Sequence, residues 1–329
     1  MRNKITLQQI ANEVGTSKVT VSRALNNKPG LSDDMRKKIL TCAGNHSYNL
    51  KQKRAIGLLA FLVPERFFLE SDRFYTAIYL NLSNLCQEQN IMLNAITYSY
   101  EQEKKSKIPE LFFRQQFDGV FVAGECSEPF VDTLSATGLP LVFIDFVRHD
   151  EESSCVLANN FELGYEAASF LIKNGHRHIG FAGDYKNNQN LCSRYLGLQK
   201  ALIMHDLKFD STCNIINNDF NTGLYTLNYA LPDKMPTAFV CSCDMVAFYL
   251  YEKLKMMNYR IPQDISIISF DNTDICCKMS PSLTSIDINK QDFARIAYNL
   301  MCTQDNAQML PKKLFVDTKL FIRDSVIAI

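Results

Sequence analysis

The chain has 329 residues, of which 47% are hydrophobic, enough apolar material for two or three folded domains. It contains no run of about 18 apolar residues, and no apolar segment follows Met1–Thr6, so we expect neither a membrane span nor a secretory signal. Its eleven cysteines show no C-x-x-C spacing, which predicts reduced thiols in a cytoplasmic protein and no metal site.

The overall net charge of zero hides an asymmetry between the two ends of the chain. Residues 1–54 carry eleven basic and three acidic side chains, a net charge of +8, and the remainder carries −8. A compact basic segment on an acidic body is typical of a nucleic-acid-binding protein. Because DNA repels an acidic body, we expect the first 54 residues to bind it.

The basic N-terminal segment, here called the head, has the pattern of three short helices. Thr6 and Gln9 have the spacing of a capping box, and Gly15 permits a tight turn after the first helix. Ser17 can cap a second helix over Lys18–Leu25, and Ser32 a third. Two helices joined by a short turn that contains glycine form a helix-turn-helix.

The second helix of such a motif enters the major groove of double-stranded DNA by its amino-terminal end. Lys18 and Arg23 suit guanine O6 and N7, and Val19 suits a thymine methyl group. Three hydroxyls in the same stretch suit phosphate oxygens, those of Ser17, Thr20 and Ser22.

After Arg54 the pattern changes to alternating strands and helices. Ile56–Val63 is a continuous apolar run, as in a parallel strand that is buried on both faces. Helical stretches then alternate with short apolar runs at Ile91–Thr97, Gly119–Ala123, Leu139–Asp145, Ile179–Ala182, Thr237–Cys241 and Ile265–Phe270. This order predicts a doubly wound α/β body whose length of about 275 residues suits two lobes.

Several segments, in order along the chain, carry a resemblance to one known family. They are Ile5–Ala11, Val19–Asn26, the GHR-x-I segment at Asn174–Phe181, the R-x-x-G-x-x-x-A-L segment at Arg194–Leu202, the IP-x-D-I-S…FDN stretch at Ile261–Asn272, Pro281–Ile286 and Arg323–Ser325. With these segments the chain resembles the lactose-repressor (LacI/GalR) family over essentially its whole length.

The resemblance implies an all-α helix-turn-helix head, residues 1–54, and an α/β body, residues 55–329, of two doubly wound lobes like those of periplasmic binding proteins. The first lobe would comprise about 55–157 plus 287–312, and the second about 158–286 plus 313–329. It further implies a transcriptional repressor that binds palindromic operator DNA as a homodimer. A small-molecule effector would lie between the lobes, with no further cofactor.

The connector between head and body departs from the family pattern. In the family a hinge helix follows the head, and its leucine wedges into the minor groove. Here only seven residues, Asn49 to Ala55, separate Tyr48 from the first strand, and Leu50 is the only candidate wedge. The basic side chains of Lys51, Lys53 and Arg54 could instead form an arm near the minor groove, or the connector could be a solvated linker.

By resemblance, the ligand-binding positions are Phe74, Tyr75, Asp145, Arg194, Phe220, Asp244 and Asp271. Asp145 closes an apolar strand, at the edge where open α/β sheets bind ligands. Carboxylates and a guanidinium give charge-assisted hydrogen bonds to hydroxyls, and aromatic rings suit the C–H face of a sugar. Three acids against one arginine disfavour a phosphorylated ligand, so a neutral sugar is expected.

Each of these positions also has a structural interpretation. Arg194 and Asp271 could form an ion pair, Phe74 and Phe220 could be core aromatics, and Asp145 could cap a turn. The function has alternatives as well: a body that binds a partner protein, or an enzyme. The sequence contains none of four common catalytic or cofactor-binding motifs, G-x-S-x-G, the P-loop, H-E-x-x-H and G-x-G-x-x-G. Their absence disfavours an enzyme.

Overall fold

The computed structural model describes residues 6–25, 30–45, 56–68, 73–148, 153–219, 222–303 and 312–329. Contacts between Cα atoms divide the chain into two compact units, Met1–Ala55 and Ile56–Ile329. Leu50, Phe220 and the connector at 49–55 lie outside the described residues, so what was predicted for them stays a prediction.

The first unit contains three helices: α1 (Leu7–Val14), α2 (Lys18–Leu25) and α3 (Asp33–Asn45). Thr6 and Gln9 form the expected capping box, and Gly15 ends α1 in the left-handed conformation with φ 71°. The three helices enclose a small core that includes Ile10, Ala11, Val21, Ala24 and Ile39. The helix-turn-helix prediction is confirmed.

The first lobe of the body is built on a six-stranded sheet, all of whose strands are parallel. Its strands are β1 (Leu58–Pro64), β2 (Met92–Tyr98), β3 (Gly119–Ala123), β4 (Leu141–Ile144), β5 (Ser154–Leu157) and β10 (Lys313–Phe315), in the order β10-β5-β4-β3-β1-β2. Its helices are α4 (Phe74–Glu88), α5 (Tyr100–Lys104), α6 (Glu110–Phe113), α7 (Glu128–Ser135) and α12 (Lys290–Thr303). Strand β1 is buried from Leu59 to Val63, as its continuous apolar run predicts.

The second lobe contains a five-stranded sheet in the order β11-β9-β8-β7-β6. Its strands are β6 (Ile179–Ala182), β7 (Ala238–Cys241), β8 (Ser266–Phe270), β9 (Thr284–Ile288) and β11 (Thr318–Phe321), of which β11 alone pairs antiparallel. Its helices are α8 (Asn160–Lys173), α9 (Gln189–Met204), α10 (Asp244–Met256) and α11 (Ile275–Lys278). Among the described residues, no helix is both long and apolar enough to cross a lipid bilayer.

The chain passes between the two sheets three times: from β5 to α8, from β9 to α12, and from β10 to β11. The last crossover corrects the predicted lobe boundary. We assigned residues 313–329 to the second lobe, but Lys313–Phe315 pairs with β5 in the first sheet. Just two residues separate β10 from β11, and neither glycine nor proline marks the change of sheet, so the sequence gives no local signal for it.

Helices α8 and α9 pack so closely that their backbones touch at two glycines. A Cβ atom on Gly164 would lie 1.9 Å from the carbonyl oxygen of Arg194, and one on Gly197 would lie 2.0 Å from that of Phe161. The close approach holds Arg194, on α9, beside the start of α8.

We predict that Gly197→Ala destabilises the body. Alanine gains about 1 kcal/mol of helix propensity over glycine, but overpacking against a backbone atom costs about 1–3 kcal/mol or more because no side-chain rotation relieves it. Chemical denaturation should therefore show a lower free energy of unfolding. The control is Leu196→Ala on the exposed side of α9, which should cost less than about 1 kcal/mol. An unchanged stability of Gly197→Ala would contradict the close helix packing.

Candidate DNA-binding helix and ligand cleft

Helix α2 presents the predicted base-reading residues on its outer face. Val21 and Ala24 are buried against α1 and α3, whereas Lys18 and Arg23 are exposed. Val19 is 67% exposed although it is apolar. Val19 and Arg23 are four residues apart and therefore lie on one face of the helix. The exposed apolar and basic side chains of Val19 and Arg23, with Lys18 at the start of the helix, fit the edges of base pairs in a major groove.

Hydrogen bonds fix both ends of α2. The Ser17 hydroxyl accepts from the Thr20 N–H at 3.0 Å and shares a 2.8 Å hydrogen bond with the Thr20 hydroxyl. At the other end Arg36 donates to the Ala24 carbonyl at 3.3 Å. Ser17 and Thr20 thus have a local role as a helix cap. The half-buried Ser22 lies two residues after Thr20 on the same helix.

A cleft of about 100 Å³ lies between the two lobes, beside the carboxyl ends of their strands. Side chains from both lobes line it. Five of the predicted ligand-binding residues do so: Phe74, Tyr75, Asp145, Arg194 and Asp271. The lining also includes residues that the sequence did not indicate, among them Arg66, Asn190, Asn218, Tyr225 and Ser242.

Arg194 forms the floor of the cleft and is 4% exposed. Its Nε donates to Asn160 at 2.8 Å, and its Nη1 donates to the Ser242 carbonyl. Its Nη2 lies 3.7 Å from a carboxylate oxygen of Asp271, which is longer than a direct hydrogen bond. The guanidinium also lies over the Phe270 ring, 4.6 Å from its centroid. Arg194 and Asp271 are therefore close enough for the alternative interpretation, an ion pair, although 3.7 Å is too long for a direct hydrogen bond.

Asp145 lies on the opposite wall, immediately after β4. Its backbone has φ 57°, the left-handed conformation that few non-glycine residues adopt. One carboxylate oxygen accepts from the Tyr75 hydroxyl at 2.9 Å. Tyr75 itself packs against Phe67 and Phe74, and Phe74 packs edge-on against Phe293 of α12. Phe74 is thus part of the core and of the cleft wall together.

The two lobes contact each other around the cleft. The Asn190 side chain donates to the Asp145 carbonyl at 2.8 Å, and the Gln189 N–H donates to the Glu125 carboxylate at 2.7 Å. Burial raises the pKa of Glu125, an effect that the hydrogen bond from Gln189 opposes. The left-handed Gly223 comes so close to Arg66 that a Cβ would lie 2.4 Å from its carbonyl oxygen. The lobes therefore touch each other at the border of the cleft.

Asp244 does not line this cleft, but it lines the adjoining pocket together with Cys243 and Asp271. Its buried carboxylate accepts from the hydroxyls of Ser269 at 2.5 Å and Ser285 at 2.8 Å. It also accepts from the N–H and the hydroxyl of Thr273, at 2.7 and 2.9 Å. These four hydrogen bonds fix the loop after β8 to the Asp244 carboxylate. We therefore interpret Asp244 as a structural residue beside the cleft.

Arg66, which the sequence analysis missed, is buried in the turn after β1. Its guanidinium pairs with Glu103 at 2.6 Å and donates to the Glu125 carbonyl at 3.1 Å. No motif surrounds Arg66, and its partner is 37 residues away, so spacing could not have indicated it. Both arginines of the cleft are thus held against carboxylates.

A helix-turn-helix head joined to a two-lobed body with a cleft between its lobes defines a ligand-responsive DNA-binding regulator. Residues 6–49 match the family described as bacterial regulatory proteins, lacI family. Residues 168–326 match the periplasmic binding protein-like domain. The chain therefore combines a LacI-family helix-turn-helix domain with a periplasmic-binding-protein-like domain, which is the composition of a ligand-responsive transcriptional regulator.

Individual proteins resemble the chain from end to end. The HTH-type transcriptional repressor PurR of Glaesserella parasuis is 27% identical, over 98% of both chains. The solved structure of a transcriptional regulator CelR–cellobiose complex matches with a TM-score of 0.70 and 22% identity, over 98% of this chain and 99% of that one. The lac repressor dimer bound to operator and the anti-inducer ONPF matches with a TM-score of 0.66 and 16% identity, over 99% and 100%. At these identities the two structures establish the fold.

We predict that Asp244→Ala destabilises the body by about 3 kcal/mol or more, because it leaves several buried donors without an acceptor at about 1–3 kcal/mol each. Thermal denaturation should show the loss. The matched control is Asp274→Ala, whose exposed carboxylate lies 3.7 Å from Arg73 and should contribute less than about 1 kcal/mol. Equal, small effects of both substitutions would show that Asp244 is not the structural centre of this loop.

Proposed function

We propose that this protein is a homodimeric repressor whose affinity for a palindromic operator changes when a neutral sugar binds between its lobes. The observation that carries the proposal is the cleft itself, where Arg194 and Asp271 of one lobe face Asp145 and Tyr75 of the other. A ligand that bridges them would favour the closed arrangement of the lobes. In a two-state protein, differential affinity of this kind is what shifts the population of states.

The charges of the cleft support a neutral, hydroxyl-rich ligand. Arg66 is paired with Glu103, and Arg194 faces Asp271, so neither guanidinium provides an excess positive charge for a phosphate. A sugar hydroxyl can accept from Arg194 and donate to Asp271 across their 3.7 Å separation. The rings of Phe74, Tyr75 and Tyr225 supply apolar surface for the C–H groups of a sugar. The cellobiose in the CelR structure supports a sugar as the ligand class.

For the head, we propose that Lys18, Val19 and Arg23 contact base edges and that Ser17, Thr20 and Ser22 contact phosphates. A homodimer would place two copies of α2 in successive major grooves, one helical turn apart, on a palindromic site. The dimeric lac repressor on its operator supports this arrangement, as does the name of the PurR repressor. We place this activity in the cytoplasm and expect no catalysis.

We expect a thermal-shift screen of pentoses, hexoses, disaccharides and nucleobases to find a stabilising sugar. A ligand at one hundred times its Kd stabilises the folded state by about 2.7 kcal/mol. Arg194→Ala and Asp271→Ala should each abolish the shift, whereas Glu252→Ala on α10, which lines neither the cleft nor the pocket that adjoins it, should preserve it. Full shifts in both cleft variants would place the ligand elsewhere. If nucleobases alone shift the melting temperature, the effector is a planar heterocycle that stacks on the aromatic rings and not a sugar. If no compound shifts it, the result favours a body that binds a partner protein.

For the DNA-binding head, in vitro selection with the full chain should yield a palindromic operator. Arg23→Ala should then lose about 1–3 kcal/mol of binding free energy and relax the preference at one base position in each half-site. Asn12→Ala, exposed on α1, is the control and should leave the base preferences unchanged. Equal loss of affinity for every sequence would identify Arg23 as a phosphate contact.

A further inference from the structure

A cluster of three potential metal ligands lies in the second lobe at the beginning of β6: His178, Asp210 and Cys213. His178 Nε2 lies 3.1 Å from Cys213 Sγ and 3.5 Å from a carboxylate oxygen of Asp210. The three ligand atoms all lie within 4.8 Å of one another. None of the three residues lines the cleft, so the cluster is separate from the proposed effector site.

Zinc ligands in a tetrahedral site have well-defined separations. With Zn–S of about 2.3 Å and Zn–N and Zn–O of about 2.0–2.1 Å, a sulfur and a nitrogen lie about 3.6 Å apart, and a nitrogen and an oxygen about 3.3 Å apart. The two distances measured from His178 Nε2 therefore come within about half an ångström of those of a zinc site. Nε2 is thus within 3.5 Å of both other ligand atoms, as one metal bound by all three would require.

The backbone around each ligand is held in place, which preorganises the cluster. The His178 carbonyl accepts from the N–H and the hydroxyl of Thr237, at the start of β7. The segment after Cys213 pairs with β6 through a parallel bridge between Ile215 and Ala182. The Ile215 N–H donates to the Phe181 carbonyl, and the Ile215 carbonyl accepts from the Gly183 N–H. Gly180 permits this approach, because a Cβ there would lie 2.6 Å from the Cys213 carbonyl oxygen.

Asp210 is oriented by Thr212, which lies between Asp210 and Cys213 in the sequence. The N–H and the hydroxyl of Thr212 both donate to one carboxylate oxygen of Asp210, at 3.0 and 2.6 Å, and lower its pKa. The other oxygen is the one that faces His178. A carboxylate or hydroxyl that orients a metal ligand in this way is a regular feature of protein metal sites.

We propose that His178, Asp210 and Cys213 bind a divalent transition metal, with Zn²⁺ the best match. Imidazole, carboxylate and thiolate together favour zinc over the hard cations Mg²⁺ and Ca²⁺. Binding would form an S–Zn bond and release the thiol proton of Cys213 to solvent. Three protein ligands leave the fourth tetrahedral position for a water molecule, which can enter because the side chains of His178 and Asp210 are 26% and 37% exposed.

Metal binding would exchange one contact of Cys213 for another. In the metal-free protein the Cys213 thiol donates to the carbonyl oxygen of Lys234 at 3.6 Å. This hydrogen bond needs the thiol proton, so the S–Zn bond would replace it.

The test uses the full chain, reduced and stripped of metal with a chelator, and titrated with Co²⁺. We expect a thiolate-to-cobalt charge-transfer band and the visible bands of tetrahedral cobalt, saturating at one equivalent per chain and abolished by Zn²⁺. Zn²⁺ should also raise the melting temperature. The absence of a charge-transfer band at one equivalent would overturn the proposal.

Variants assign the band to these residues among the eleven cysteines of the chain. Cys213→Ser and His178→Gln should lose the band, and Thr212→Val should weaken metal binding about 10–100-fold through the orientation of Asp210. The control is Cys277→Ser, an exposed cysteine on α11, which should retain the band. A band that persists in Cys213→Ser or in His178→Gln would refute the site. If Cys213→Ser fails to fold by circular dichroism, the partly exposed His178→Gln decides alone.

Discussion

The buried guanidinium of Arg194 is the group on which the architecture of the body depends. An unpaired charge in this position would cost several kcal/mol, so the chain surrounds it with partners from three separate elements. Asn160 comes from the start of α8, the Ser242 carbonyl from the loop after β7, and Asp271 from the loop after β8. The glycines at 164 and 197 are needed because α8 and α9 can bring these groups together only when their backbones touch.

The same guanidinium joins the cleft to a crossover between the lobes. Asn160 is the first residue of α8, and it follows β5 of the first sheet after two residues. A ligand in the cleft could bind the Nη2 group of Arg194 or the Asp271 carboxylate. It would then change the hydrogen bonds of the Arg194 guanidinium, whose Nε donates to Asn160 at the crossover. The floor of the cleft is thus connected to the place where the lobes are joined, which is a physical requirement for a bound molecule to change the relation between them.

Local interactions were predictable from the sequence, and distant ones were not. Thr6, Gln9, Gly15 and Ser17 lie within a few residues of their partners, so their spacing predicts the caps of the head. Arg194 and Asp271 could be found because each lies in a family segment.

Asp244 illustrates the opposite case. It follows a strand as a ligand-binding residue would, but its partners come from β8, β9 and the loop between β8 and α11. The partners of Arg66 and His178 are 37 and 35 residues away in the sequence, so the fold alone brings them together. Residue type and spacing therefore identify what a side chain can do, whereas the donors around it decide what it does.

The crossovers have a mechanical consequence. All three involve strands at one side of the two sheets, β10 and β5 in the first and β11 and β9 in the second. From the end of β10 to the start of β11 the chain can span at most about 11 Å, so the lobes cannot separate along this side. Any opening of the lobes would therefore be a rotation about that side, with the largest displacement at the opposite edges, β2 and β6. A small rotation beside Asn160 would become a larger displacement there.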